Sequence, residues 1–277
     1  MTAYLFNRRC LLAASFLLLA PAAGVSATER TTMDPALVTP GKLTVGTGDP
    51  VYPPWMMNND PASGEGFENG LVYALAGEMG FDADDVVWVG QTFDQAIAPG
   101  AKPYDFAIQQ ISVTEARAEV VTFSQVYFQP DKAVIALPGS PIEDASSFAD
   151  LQAARWGAVI GTTDNDYLVN ILGIQDAAIY DDQVGVFQAM AARQIDATLA
   201  ALPTALFMTA VQVPEADIVA LLPADENDRG HGLLFQKDNP LVDWVDDALS
   251  AIIERGVVEE LKNTWLVADP DLPVITE

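Results

Sequence analysis

Residues 104–127 read "YDFAIQQISVTEARAEVVTFSQVY", an apolar run that passes into hydroxyls, amides and one arginine. "YDFAIQQ" has the short apolar character of a strand, and "SVTEAR" has the marks of a helix start. Thr114 can cap that helix by accepting an N–H of its first turn, and Arg117 stands three residues on. First-turn amides point outward with partial positive charge, and a guanidinium beside them adds a two-pronged donor. Together they suit a small carboxylate. Spacing alone leaves another reading open, a surface arginine beside an ordinary threonine cap.

Outward from this segment the same alternation continues. Upstream, "KLTVGT" reads as a strand, and "FENGLVYALAGEMGF" puts Leu71, Val72, Leu75, Ala76 and Met79 on one helical face. "DVVWVG" reads as a buried strand and "TFDQAIA" as a short helix. Downstream, "KAVIALP" and "RWGAVIG" are strands with the helix start "SSFADLQ" between them. "NDYLVNILG" and "DQVGVFQAMAARQ" are helices, "IDATLA" is a strand, and "PTALFMTAV" is a helix with Pro203 in its first turn. "HGLLFQK" is a further strand. From Pro240 to Trp265 two helices are separated at Gly256, with Leu241, Trp244, Val245, Ala248, Leu249 and Ile252 facing inward. Strands alternating with helices predict an α/β protein. Two such runs without a low-complexity linker predict two lobes with a cleft between them.

The first residues have a different character. "MTAYLFNRRCLLAASFLLLAPAAGVSA" carries Arg8 and Arg9, an apolar run and small residues at its end, the layout of a secretory signal peptide over residues 1–27. Residues 28–41, with weak periodicity and two prolines, are expected to be a loose N-terminus. Cys10 is the single cysteine, so a chain cleaved after Ala27 has no disulfide and depends on apolar burial. Its charge is 11 basic against 39 acidic residues, or −28, because the leader holds two arginines and no acid. Nucleic acid and anionic membranes are poor partners for that field. No later segment reads as a membrane span.

Enzyme signatures are scarce. With one histidine, His231, and no cysteine beyond the leader, Cys/His nucleophilic sites and multi-histidine metal sites are excluded. No nucleophile elbow, phosphate loop or dinucleotide fingerprint occurs. His231, between two glycines, reads as a loop or hinge residue. No cofactor or metal is expected. Binding signatures are better represented. In "IGTTDNDYL" a strand ends at Gly161, and the hydroxyls of Thr162 and Thr163 precede a helix, a second place for an anion. In "GDPVYPPWM" Asp49 follows a strand, and Tyr52 and Trp55 are held on a proline-rich loop. Asp49 can pair with a cation, and the aromatics can stack on a ligand, although one of the two is expected to pack on the core.

In order, these pieces resemble the periplasmic solute-binding proteins of polar amino-acid ABC importers. The resemblance runs through "DPVYPPW", "GEGFENGLVYALAGEMGF", "YDFAIQQISVTEARAEVVTFSQVYF", "VIGTT", "RQIDA" and "GLLFQKDNPLVDWVDDALSAIIERGVVEELKNTWL". Its most specific part is S-x-T-x-x-R with F-S-x-x-Y, from Ser112 to Tyr127. The resemblance implies the type II periplasmic binding fold, two α/β lobes joined by a two-strand hinge. Lobe 1 is then 42–133 with 231–277, lobe 2 is 134–230, and the crossing strands lie near Val134 and Leu233. It implies that Arg117 clamps a solute carboxylate, helped by hydroxyls and amides near Ser112 and Thr163. By the same resemblance Tyr52 stacks on the solute and Asp49 meets a basic head group. Thr114, Gln110, Thr162 and Trp55 complete the expected ligand-binding set.

One position departs from the family pattern. The aspartate that holds the solute ammonium is expected five residues after Asp196, and that position is Ala201. Gln109 and Gln110, where small residues are usual, would narrow and polarise the pocket. The function implied is an extracytoplasmic, monomeric, non-enzymatic solute binder that hands its cargo to a membrane permease. A periplasmic enzyme on the same fold, resembling the cyclohexadienyl dehydratases, and a sensory module are the alternatives.

Overall fold

The computed structural model describes residues 30–266 and 272–276. The expected signal peptide at 1–27 lies outside the described residues. Strands β1 (Leu43–Gly48), β2 (Val86–Gln91), β3 (Phe106–Ala107), β4 (Val121–Phe128), β5 (Lys132–Ala136), β6 (Trp156–Val159), β7 (Ala178–Tyr180), β8 (Ala197–Ala201), β9 (Asp217–Leu222) and β10 (His231–Gln236) form two sheets. Their orders are β2-β1-β3-β10-β4 and β7-β6-β8-β5-β9. The chain therefore leaves the first sheet after β4, builds the second, and returns as β10. β10 runs antiparallel to β3 and β4, and β5 runs antiparallel to β8 and β9, while β1 is parallel to both its neighbours.

The helices are α1 (Phe67–Glu78), α2 (Phe93–Ile97), α3 (Glu115–Ala118), α4 (Phe148–Leu151), α5 (Thr163–Asn170), α6 (Gln183–Ala191), α7 (Leu202–Phe207), α8 (Val242–Glu254) and α9 (Val257–Trp265). α1 buries Leu71, Val72, Leu75 and Ala76 in one core with Trp244, Val245, Ala248, Leu249 and Ile252 of α8. Each fully buried leucine contributes about 1.5–3 kcal/mol, which holds these helices on the first sheet. Gly66, at φ +116°, starts α1 beneath the aromatic loop, where a Cβ would stand 2.4 Å from the Trp55 carbonyl oxygen. Only glycine fits there. The second sheet has its own apolar clusters, one around Phe187, Met190 and Ala205 and one around Trp156, Tyr167 and Leu168.

Several expectations are corrected. The links between sheets are residues 129–131 and 223–230, whereas Val134 and Leu233 sit inside β5 and β10. β2, expected to be buried, is an edge strand with Val87 41% exposed. β4, β7 and β9 were not expected as strands. The segment 30–41 is not loose where it is described: Leu37 is buried in the first core, and Val38 N–H donates to Asp105 Oδ1 at 2.7 Å. The C-terminal residues 272–276 do not join the first lobe. Val274 pairs with Leu221 of β9, and Ile275 is buried among the second lobe's side chains. Apolar residues beside an uncovered strand edge are the physical reason for that placement.

Candidate functional site

A cavity of about 220 Å³ lies between the lobes, reached by residues of β1, the 109–117 turn, the two links, and the starts of α5, α6 and α7. Arg117 is drawn into it by the four-residue helix α3, whose start is fixed by Thr114 Oγ1 accepting from Arg117 N at 3.2 Å. Arg117 is 9% exposed. Its guanidinium donates to the Ser112 carbonyl at 2.7 Å and, across the cleft, to the Gly161 carbonyl at 2.8 Å. Its Cζ lies 5.3 Å from the Phe93 ring centre, a cation–π contact. Burial pulls its pKa down, and Asp228, Asp166 and Asp164 oppose that shift.

The hydroxyls of Ser112 and Thr163, one from each lobe, are 3.3 Å apart. Both donate to Asp228 Oδ2, at 2.9 and 2.7 Å, while Asp228 Oδ1 accepts from Gly230 N at 3.0 Å. Burial would raise the Asp228 pKa, yet these donors and the Lys132 charge hold it below the usual range. Asp228 is therefore an anion at neutral pH.

The floor is aromatic. Trp55 is 1% exposed, packs edge-on against Phe67, Phe128 and His231, and donates its indole N–H to Thr204 Oγ1 at 2.9 Å. Tyr52 is half-buried on the cavity wall, edge-on to Phe187, with its hydroxyl 3.3 Å from Gln110 Oε1. Gln110 adopts φ +50°, and Glu68 behind it accepts from Gln110 N at 2.8 Å and also from Gln110 Nε2 and Tyr127 Oη. Burial raises Glu68 to about 7 despite those donors. His231, buried among aromatics, is pushed down to about 4, chiefly by desolvation, and stays neutral.

Arg117, Ser112, Gln110, Thr162, Thr163, Tyr52, Asp49 and Trp55 all reach the cavity. Thr114 does not line it; its oxygen serves the α3 cap. The Thr162 hydroxyl is likewise engaged, accepting from Asn165 N and donating to the Val159 carbonyl. Sequence reasoning missed Asp228 and Lys132. Lys132 pairs with Asp164 on the second lobe. Seven aspartates line the cavity against Arg117 and Lys132, so its lining is formally −5. Among the described residues no cluster of three His, Cys, Asp or Glu side chains can hold a metal ion, and no helix is long and apolar enough to cross a membrane.

Residues 43–268 match the family model described as "Bacterial extracellular solute-binding proteins, family 3". An arginine-binding periplasmic protein of Mannheimia haemolytica is 26% identical over 222 residues, covering 79% of this chain and 89% of that protein. The L-cystine-binding protein of Escherichia coli K12 is 26% identical over 235 residues, covering 83% and 84%. Among solved structures, a periplasmic binding protein of Salmonella typhimurium with high arginine specificity aligns with TM-score 0.68 at 22% identity, covering 82% of this chain and 99% of that one. An ancestral amino acid-binding protein, a precursor of cyclohexadienyl dehydratase, aligns with TM-score 0.67 at 23% identity, covering 82% and 96%. These two structures share the two-lobed fold.

Proposed function

Since the chain belongs to the bacterial extracellular solute-binding proteins of family 3, we propose that it is the solute-binding component of an ABC importer. Its solute is a small polar molecule bearing a carboxylate, an amino acid or amino-acid derivative, held between the lobes. The observation that carries this reading is the meeting of Arg117 and Ser112 from one lobe with Thr163 from the other, the two hydroxyls 3.3 Å apart. A carboxylate there touches both lobes at once, so it favours the closed form over the open one. The permease then recognises the closed form outside the cytoplasm.

Two features narrow the class. A formally −5 lining favours a solute with a cationic end, in keeping with a relative named for arginine. Ala201, at the cavity wall, offers a methyl group where the family's ammonium-binding acid is expected, so another aspartate of the lining must take that role. The same methyl argues against dehydratase chemistry, which needs an acid at that place. The protein acts as a binder and not as an enzyme.

A thermal-shift screen with amino acids, betaines and small carboxylates tests the reading, because a ligand that binds only the folded chain raises its melting temperature. One class is expected to stabilise, and Arg117→Ala is expected to remove the shift. Full affinity in that variant would refute the carboxylate clamp.

A further inference from the structure

The hydroxyl pair at the centre of the cleft already holds a carboxylate, and it belongs to the protein. Ser112 Oγ and Thr163 Oγ1 donate to one oxygen of Asp228, and the Gly230 N–H donates to the other. Asp228 lies in the 223–230 link between the lobes, so it belongs to neither sheet. Its three donors come from both lobes and the link itself. Arg117, beside them, spends two of its N–H groups on the Ser112 and Gly161 carbonyls. The receptor is satisfied from within.

We propose that Asp228 is a built-in competitor for the carboxylate receptor: it draws the lobes together over an empty cleft and is displaced when a solute carboxylate arrives. The proposal rests on the carboxylate-solute reading above and adds a specificity determinant to it. Exchanging one carboxylate for another on the same hydroxyls changes the hydrogen-bond count little, so it supplies little net affinity. Selection passes to the rest of the solute. There the remaining aspartates of the lining favour an ammonium or guanidinium group and disfavour a neutral or acidic one. A solute with a carboxylate and nothing cationic beyond its α-ammonium gains too little to displace Asp228.

The test compares the protein, stripped of bound solute by unfolding and refolding, with its Asp228→Ala and Asp228→Asn variants. Small-angle scattering without solute reads lobe closure, and titration calorimetry with L-arginine, L-glutamine and agmatine reads specificity. Asp228→Ala is expected to enlarge the radius of gyration of the empty protein. It is also expected to bind L-arginine at least tenfold more tightly, to gain binding of L-glutamine, and to show no gain for agmatine, which lacks the carboxylate. Asp228→Asn, which keeps an acceptor but loses the charge, is expected to fall between. An unchanged radius in Asp228→Ala overturns the proposal whatever the solutes do. So does weaker L-arginine binding, which would make Asp228 a plain solute contact. Failure of wild type and both variants to bind either amino acid, together with no stabilising carboxylate in the thermal-shift screen, would sink the carboxylate-solute reading instead, and the scattering comparison would still decide on Asp228.

Discussion

The Trp55 indole N–H, in the loop after β1, donates to the Thr204 hydroxyl of α7 at 2.9 Å, and the bond is buried between the lobes. It joins an aromatic of the first core to the first turn of a second-lobe helix. Thr204→Val keeps the shape and removes the acceptor. An unpaired buried N–H costs about 1–3 kcal/mol, which is charged to the closed form, since opening lets water reach the indole. Solute affinity measured by calorimetry is expected to fall roughly fivefold to a hundredfold, following that range. Thr204→Ser is expected to retain wild-type affinity.

Glu68 makes stability depend on pH in an unusual direction for a carboxylate. Burial raises its pKa from 4.5 to about 7, so the folded chain binds this proton more tightly than the unfolded one. The contribution is fully present below pH 4.5 and is lost as pH rises through about 7. On this account Glu68→Gln loses less stability than wild type between pH 5 and pH 8. The difference in melting free energy between the two proteins is expected to change by a few kcal/mol over that window. Denaturant melts at several pH values measure it, and parallel profiles would count against a buried proton at Glu68.

Leu37 is a second stability probe. It is 4% exposed in the first core, and Asp105 secures its neighbourhood by accepting from Val38 N and Thr44 N, both at 2.7 Å. Leu37→Ala is expected to cost about 2–5 kcal/mol, near the lower end because a turn segment can collapse over the vacancy. A cost below about 0.5 kcal/mol in urea melts, the size usual for surface positions, would show that residues 30–41 add nothing to the core.

The acidity of the chain gives a prediction about salt. With a formal charge of −26 over 277 residues, exposed carboxylates repel one another in the folded state. Raising sodium chloride from about 0.01 to 0.15 M shortens the screening length from about 30 to 8 Å. The melting temperature is expected to rise over that range. A flat or falling curve would mean that attractive pairs such as Arg255–Glu78 outweigh the repulsion.

Much of the fold was readable because its signals are local. α1 and α8 carry apolar residues three and four apart, and β1 and β10 are short apolar runs beside glycine. β4 was passed over because its burial follows no two-residue period, being packed unevenly under α8. β7 is three residues long and largely exposed, and β9 takes its place from β5 and the C-terminal residues beside it. In the site, Arg117, Ser112 and Thr163 stood out by their motif. Asp228 did not, being one of 39 acids whose partners lie 116 and 65 residues away on different lobes. Its role depends on tertiary placement, which no spacing rule encodes. Thr114 shows the other side of a local signal: its oxygen serves the α3 cap, and the residue stands outside the cavity lining.

The C-terminal residues have one more consequence. β9 ends its sheet, and a bare outer strand offers free N–H and C=O groups to any other extended chain. Here Leu221 N–H donates to the Pro273 carbonyl at 2.8 Å, and Ile275 N–H donates to the Leu221 carbonyl at 3.0 Å. The covering strand is short, and its proline presents no donor to the outside. The second sheet is thus closed by the chain's own residues 272–276, leaving neighbouring chains little edge on which to begin strand-to-strand aggregation.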